Sequence, residues 1–161
     1  NTSVLIGPKA NKPLKLKIPI LISGMSYGSA LSLKTKIALA RASKKAGTAS
    51  NSGEAPLIDE ERLEAQYFIG QYNRGGWMNT DEQLKQLNAI EIQLGQGAQA
   101  AAPMTMTSTQ IGDDLRKVKK LKKGEDAVIH SRLIGMNKPE DIKPLVEDLR
   151  NKYVELWNEV N

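Results

Sequence analysis

Short apolar runs, each closed by glycine or a polar cluster, alternate with longer helical stretches along this chain, and no other feature limits its possible folds so strongly. Pro19-Ile20-Leu21-Ile22-Ser23 ends at Gly24 and reads as a buried strand that the glycine punctuates. A helix is expected over Ala30 to Lys45. Leu33, Ile37, Ala40 and Lys44 step along one face, and Leu31 and Ala38 widen it. Lys44 and Lys45 suit its last turn, and Gly47 suits a left-handed cap. Further strands are expected at Thr48-Ala49-Ser50, Tyr67 to Tyr72, Ala89 to Leu94 and Asp126 to Arg132. The helices between them are expected over Asp59 to Tyr67 with Asp59 as cap, Thr80 to Asn88 with a Thr80/Gln83 capping box, and Thr109 to Lys122. A last helix runs from Lys138 to beyond Tyr153, with Asn137 as cap and Pro139 in its first turn. Such a β-α succession predicts a parallel sheet with crossover helices, an α/β fold.

Glycines and polar side chains fall where the strands end. The links are Ser23-Gly24-Met25-Ser26, Asn51-Ser52-Gly53-Glu54, Asn73-Arg74-Gly75-Gly76, Gly95-Gln96-Gly97 and Ser131-Arg132. In parallel α/β folds that rim is where ligands sit. Glu54 is the carboxylate best placed there for proton handling. Gln93 and Gln96 offer neutral amides for hydrogen bonding. Gly95-Gln96-Gly97 lacks the spacing of a phosphate loop. The βα units suggest a barrel, but an eight-unit barrel needs at least about 200 residues, whereas this chain has 161. Either the sheet is open or residues 1–161 are part of a barrel.

Composition removes several chemistries. The chain has no cysteine and one histidine, so thiolate, disulfide, iron–sulfur and multi-histidine metal chemistry by this chain are excluded. His130 ends an apolar strand, where a lone histidine reads as structural, and Arg132 shares its face. The net charge of +5 allows an anionic ligand without demanding nucleic acid. Arg116 to Lys123 holds six cations in eight residues but no aromatic, so it reads as a solvated helix face, not a nucleic-acid surface. Ile18 to Ser23, the longest apolar stretch, is too short to span a bilayer, and the first residues show no leader pattern. The expectation is a cytoplasmic protein. The helix continuing past Tyr153, where a turn and a sixth strand are due, suggests a longer natural chain.

Five ordered matches, the last of them in two parts, resemble the FMN-binding synthase domain of the glutamate synthase family. Ile22-Ser23-Gly24-Met25-Ser26-Tyr27-Gly28 is similar to its I-S-G-M-S-F-G, and Gly47 to Glu54 to its G-x-x-S-N-T/S-G-E. Gln71 to Trp77 resembles a Q-x-x-x-G-R-F/W stretch, and Ile90 to Gln99 resembles I-E-I-K-x-x-Q-G-A-K. Gly124 to Ile129 and Lys138 to Ile142 resemble the later G-x-D-x-I-S and S-P-E-D-L segments. The resemblance implies a (β/α)8 TIM-type barrel, of which this chain is the N-terminal portion. It implies a flavoprotein oxidoreductase in which ammonia adds to 2-oxoglutarate and reduced FMN delivers a hydride. Taken with the residues on the rim, it points to FMN contacts from Gly24, Met25, Ser26, Asn51 and Gln93, substrate contacts from Ser52, Gly53, Arg74 and Gln96, and Glu54 as the catalytic carboxylate. The implied partners are a small amino or keto acid and the rest of the barrel or another subunit.

The likeness is not complete. Gln93 and Gln99 stand where the family has lysines, Ala101-Ala102-Pro103-Met104 replaces a glycine-rich run, and Ala55-Pro56 replaces Gly-Gly. Gly76 takes the place of the G-R-F arginine, with Arg74 two positions earlier. Lost lysines remove charge expected near a keto acid. A second reading is therefore a degenerate, non-catalytic barrel module that acts in binding or assembly.

Overall fold

The computed structural model describes residues 2–96 and 102–158, with side chains to Lys152. It begins with an antiparallel hairpin that the alternation does not foretell. β1 (Val4–Ile6) pairs with β2 (Leu14–Leu16), Val4 opposite Leu16. Three-residue strands are too short to carry a periodic signal. The parallel sheet follows, with β3 (Ala49–Asn51), β4 (Tyr67–Tyr72) and β5 (Ala89–Ile92) in that spatial order. Ala49 lies beside Tyr67 in the first pair, and Gln71 beside Glu91 in the second. Helices α1 (Leu33–Ala46), α2 (Asp59–Glu64) and α3 (Asp81–Leu84) connect these elements. The mixed α/β class and the parallel pairing agree with the expectation.

Period two sorts the strand residues onto two faces. Phe68 faces the helices and packs with Ala40, Ala65, Met78, Leu84, Leu87 and Leu149, against which Tyr72, Ile90 and Ile92 also lie. Gly70 shares that face because a Cβ there would collide with Leu87. On the other face Ala49 and Ile69 meet Leu14 and Leu16 of the hairpin, with Tyr67 and Ala89 alongside. This face is therefore apolar at the strand starts. Further along the same strands its residues are Asn51, Gln71 and Glu91. The hairpin covers the apolar end, and the polar end carries the loops.

Several local expectations need correction. Pro19 to Ser23 is not a strand and is not buried: Ile20 and Leu21 are 62% and 43% exposed. The segment runs against β3 through one backbone bond, Ile22 N–H to the Ala49 carbonyl at 3.0 Å, and through the Thr48 hydroxyl to the Ile20 carbonyl. Pro19 has no N–H to extend that pairing. α1 is capped by Ser32, which accepts from the Thr35 N–H, and it ends at left-handed Gly47 as expected. Its buried line, however, is Lys36, Ala40 and Ser43. Leu33 and Ile37 are half-buried and Lys44 is exposed. α2 is shorter than expected, and Ile58, not Asp59, holds its cap position; Asp59 starts the first turn, where its charge suits the dipole. Gln83 does reach back to the Thr80 N–H and hydroxyl, as the capping box requires.

The fifth expected strand is real but sits elsewhere. β7 (Ala127–Ile129) pairs antiparallel with β6 (Met104–Met106) in a separate two-stranded sheet. The basic helix between them shrinks to α4 (Asp113–Val118), because Lys120 adopts a left-handed φ of 55° and ends it. Six residues rise only about 9 Å, too little for a full crossover helix. Before α5 (Ile142–Asn158), a 3-10 turn spans Pro139–Asp141. Asn137 is not its cap. Instead the Asp141 carboxylate accepts from the Asn137 and Lys138 N–H groups, at 2.8 and 3.1 Å.

Phe68 has no exposed surface and sits at the middle of the larger core. Phe68→Ala should therefore lower stability by roughly 3–5 kcal/mol, read by chemical denaturation. A loss below about 1 kcal/mol would mean that the sheet–helix core does not carry the fold.

Candidate functional site

Three strand ends and the loop before α1 converge at the polar end of the sheet. Asn51 closes β3. Its side-chain carbonyl accepts the Gly53 N–H at 2.9 Å, which turns the loop, and its amide donates to Glu91 at 3.0 Å. The Gln71 amide donates to the other Glu91 oxygen. One carboxylate thus ties the ends of β3 and β4 to β5. The Ser52 hydroxyl accepts the Gln71 N–H at 2.9 Å, and the Ser52 N–H donates to the Ile69 carbonyl, also at 2.9 Å. Buried amides and hydroxyls need such partners, and nearly every one here has them.

The Gly24-Met25-Ser26 loop lies against this layer. A Cβ on Gly24 would fall 2.5 Å from the Gln71 amide nitrogen and 3.0 Å from the Asn51 side-chain oxygen. Gly53 has φ +67°, and a Cβ there would fall 2.7 Å from the Met25 carbonyl carbon and the Ser26 nitrogen. Gly53 lets backbone approach backbone, and Gly24 lets its loop approach the Gln71 and Asn51 side chains. Among the described residues, the half-buried N–H groups of Gly24, Met25 and Ser26 meet no acceptor.

Lys36 holds the two loops from behind. Its ammonium, 2% exposed, donates to the carbonyls of Asn51 at 2.7 Å, Met25 at 2.8 Å and Ser52 at 3.2 Å. The Glu61 carboxylate sits 3.0 Å away. Burial pushes the Lys36 pKa down and that of Glu61 up, and each partner's charge opposes the shift of the other. Neither residue follows from the sequence reading, since a lysine inside an apolar helical face reads as solvated. The signal was its i, i+4 relation to Ala40 on the line that packs inward.

Glu54 and Arg74 form a second buried pair at 3.3 Å, with side chains 7% and 0% exposed. The guanidinium also donates to the Ala102 carbonyl at 3.5 Å. Lys119 joins them. Its ammonium stands 3.1 Å from the centre of the Trp77 ring. Burial lowers its pKa to about 8, against the opposing pull of Glu54. The basic run is therefore not wholly a solvated face. Arg116 likewise turns inward, donating to the Ser108 and Ile111 carbonyls at 2.8 and 3.0 Å. Asn73 supports this corner by accepting the Gly75 N–H at 3.0 Å.

Gln93 is 7% exposed, and neither end of its amide has a hydrogen-bond partner among the described residues. Gln96 is exposed, and Gln99 lies outside the described residues. Of the expected site residues, Gly24, Met25, Ser26, Asn51, Ser52 and Gly53 form one connected layer. Glu54 and Arg74 form the adjacent buried pair. The fifth link is not part of it: β7 belongs to the other sheet, His130 is exposed, and Arg132 donates to the Asn137 carbonyl at 3.4 Å. A separate cleft runs along the outer edge of β5, between the hairpin and α5, and none of the expected site residues lines it.

Comparison with known proteins accords with the motif resemblance. Residues 2–157 match the family described as a conserved region in glutamate synthase. A glutamate synthase large subunit-like protein of Rhizobium meliloti (strain 1021) is 35% identical over 151 residues, 93% of this chain and 34% of that protein. An archaeal glutamate synthase [NADPH] of Methanocaldococcus jannaschii is 32% identical over 137 residues, 85% of this chain and 27% of that protein. An archaeal-type glutamate synthase [NADPH] of Thermotoga maritima is 30% identical over 133 residues, 83% of this chain and 26% of that protein. The chain thus spans about a third or less of these relatives. No helix among the described residues is long and apolar enough to cross a membrane. With its strand-end motifs gathered in one layer and a family match along almost the whole chain, this protein belongs to the glutamate synthase family.

Proposed function

We propose that the chain is the N-terminal part of a glutamate synthase-like (β/α)8 barrel, that its strand-end layer binds FMN, and that the full protein aminates 2-oxoglutarate. The three-stranded parallel sheet supports the barrel reading. Among the described residues the outer edge of β5 carries no further strand, and a parallel sheet ordinarily continues under cover. The observation that carries the flavin reading is Gln93. A buried amide with both ends unpaired is costly unless a ligand completes it. The unaccepted N–H groups of Gly24, Met25 and Ser26, and the glycines that keep side chains away from them, fit the polar edge of a planar ring. These residues, with Asn51, would hold FMN, which when bound supplies the two-electron reducing chemistry.

The chain's own residues bind and orient. Glu54 is the carboxylate suited to holding or moving a proton, and Arg74 fixes its position from a site closed to solvent. Ser52 and Gly53 are the parts of the same loop proposed to meet the substrate, with Gln96 at the open side. Lys119 supplies a cation close enough to Glu54 to feel its charge. That cation answers the loss of lysine at Gln93 and Gln99, and it favours the enzymatic reading over a degenerate assembly module. An anionic keto acid would be drawn to it while it stays protonated. Trp77 walls it off from water.

The flavin reading is tested on the full-length protein. It should purify with a visible flavin absorption band or take up added FMN; a colourless protein that takes up none overturns it. Gln93→Leu should act in opposite directions on two measurements. Without flavin it should stabilise the protein, because an unpaired buried amide costs about 1–3 kcal/mol. FMN affinity should fall roughly five- to thirtyfold, from one or two lost hydrogen bonds of about 1 kcal/mol each. Ser26→Leu should also lower FMN retention by crowding the loop; unchanged retention would remove Ser26 from the site.

Lys119 gives a pH test. Its pKa is near 8 when folded and near 10.5 when unfolded, so the unfolded chain binds more protons between those values. Stability should accordingly rise as pH passes from about 8 toward 10.5, and the local positive charge should fall over the same start. Trp77 fluorescence should titrate with a midpoint near 8, and Lys119→Met should abolish that transition. A midpoint that stays at the ordinary lysine value would place Lys119 in solvent.

A further inference from the structure

Lys36 joins segments that are distant in sequence. Its ammonium has three N–H donors and faces four oxygens: the carbonyls of Met25, Asn51 and Ser52, and the Glu61 carboxylate, all within 3.2 Å. Met25 belongs to the loop before α1, Asn51 and Ser52 to the end of β3, and Glu61 to α2. The two loops also touch directly, where Gly53 lets the Met25–Ser26 backbone come close. They share few bonds beyond that contact and this cation. Stability alone does not account for such a pair. Replacing a buried ion pair with apolar side chains of similar volume is often neutral or stabilising. Apolar side chains could not draw three carbonyls to one point, however. Charge-assisted bonds can, and pulling the Met25 carbonyl inward turns the Ser26 N–H of the same peptide the other way, while the Ser52 and Gly53 N–H groups of the other two peptides are held by the Ile69 carbonyl and the Asn51 side chain.

Resting on the flavin reading above, we propose that Lys36 is a positioning residue: its ammonium, balanced by Glu61, locks the Gly24–Ser26 loop onto the Asn51–Gly53 loop in the register that presents the Gly24–Ser26 backbone N–H groups to the ligand. Lys36 touches no ligand itself. It acts through the carbonyls it binds, from the far side of the loops. The general rule is that groups supporting a binding layer matter to affinity nearly as much as the layer itself.

The test separates fold from register. FMN binding and chemical denaturation are measured on full-length wild type, Lys36→Met and the double variant Lys36→Met/Glu61→Leu. Lys36→Met alone leaves Glu61 buried without its partner and should lose stability. The double variant should regain much of that loss because no uncompensated charge remains. If Lys36 sets the register, the double variant still binds FMN about tenfold or more weakly than wild type, and the bound flavin band moves toward that of free FMN. A stable double variant with wild-type affinity and spectrum overturns the inference and leaves the flavin reading standing. A wild-type protein that binds no FMN overturns the flavin reading, and this inference with it. Should the double variant fail to fold, Lys36→Gln decides. It keeps two N–H donors without the charge, is expected to fold and bind FMN more weakly, and overturns the inference if its affinity matches wild type.

Discussion

A parallel sheet that ends in polar loops must satisfy many backbone groups away from water, and in this protein one buried cation answers the densest cluster of them. The ammonium of Lys36 gathers carbonyls from two loops, and Glu61 removes the cost of leaving that charge alone. Around it the remaining polar side chains pair in turn: Asn51 and Gln71 on Glu91, Ser52 on the β4 backbone, Glu54 on Arg74. The members of the layer share partners. Shifting one loop would leave several buried groups unpaired at once.

The sheet's inner face explains why this layer forms where it does. The same strands that begin with Ala49, Ile69 and Ala89 end in Asn51, Gln71 and Glu91. The hairpin of β1 and β2 seals the apolar end with Leu14 and Leu16, so the polar end is left to the loops. Gln93 stands out because, among the described residues, both ends of its buried amide lack a hydrogen-bond partner. Places where a fold leaves a polar group unmatched are where function is sought, and the glycines at positions 24 and 53 bring backbone close to the same region.

Much of the fold could be read from residue order. β4 and β5 stand where apolar runs bounded by turn residues put them, Gly47 ends α1 in the left-handed conformation, and Gln83 caps α3 at Thr80. The readings that failed did so for local reasons. Pro19 to Ser23 is apolar yet exposed, because a single backbone bond to β3 does not bury it. The basic run breaks at Lys120, so its charges do not lie on one solvated helix; Lys119 turns inward against Trp77. Periodicity sees neither a reversed φ nor a cation held over an aromatic ring.

By itself, the sequence determined the α/β class, the order of its main elements, the absence of cysteine chemistry and the motifs that mark a glutamate synthase relative. All of these are properties of neighbouring residues: hydropathy at period two or near four, turn residues, short spaced patterns. Only the tertiary structure decided that Lys36 and Glu61 meet, that Arg74 is enclosed with Glu54, that Lys119 is buried, and that β7 leaves the parallel sheet for β6. Each of these is an encounter between segments far apart in the chain. Whether a charged side chain ends in water or beside an opposite charge depends on what the fold brings to it, and no local pattern carries that information.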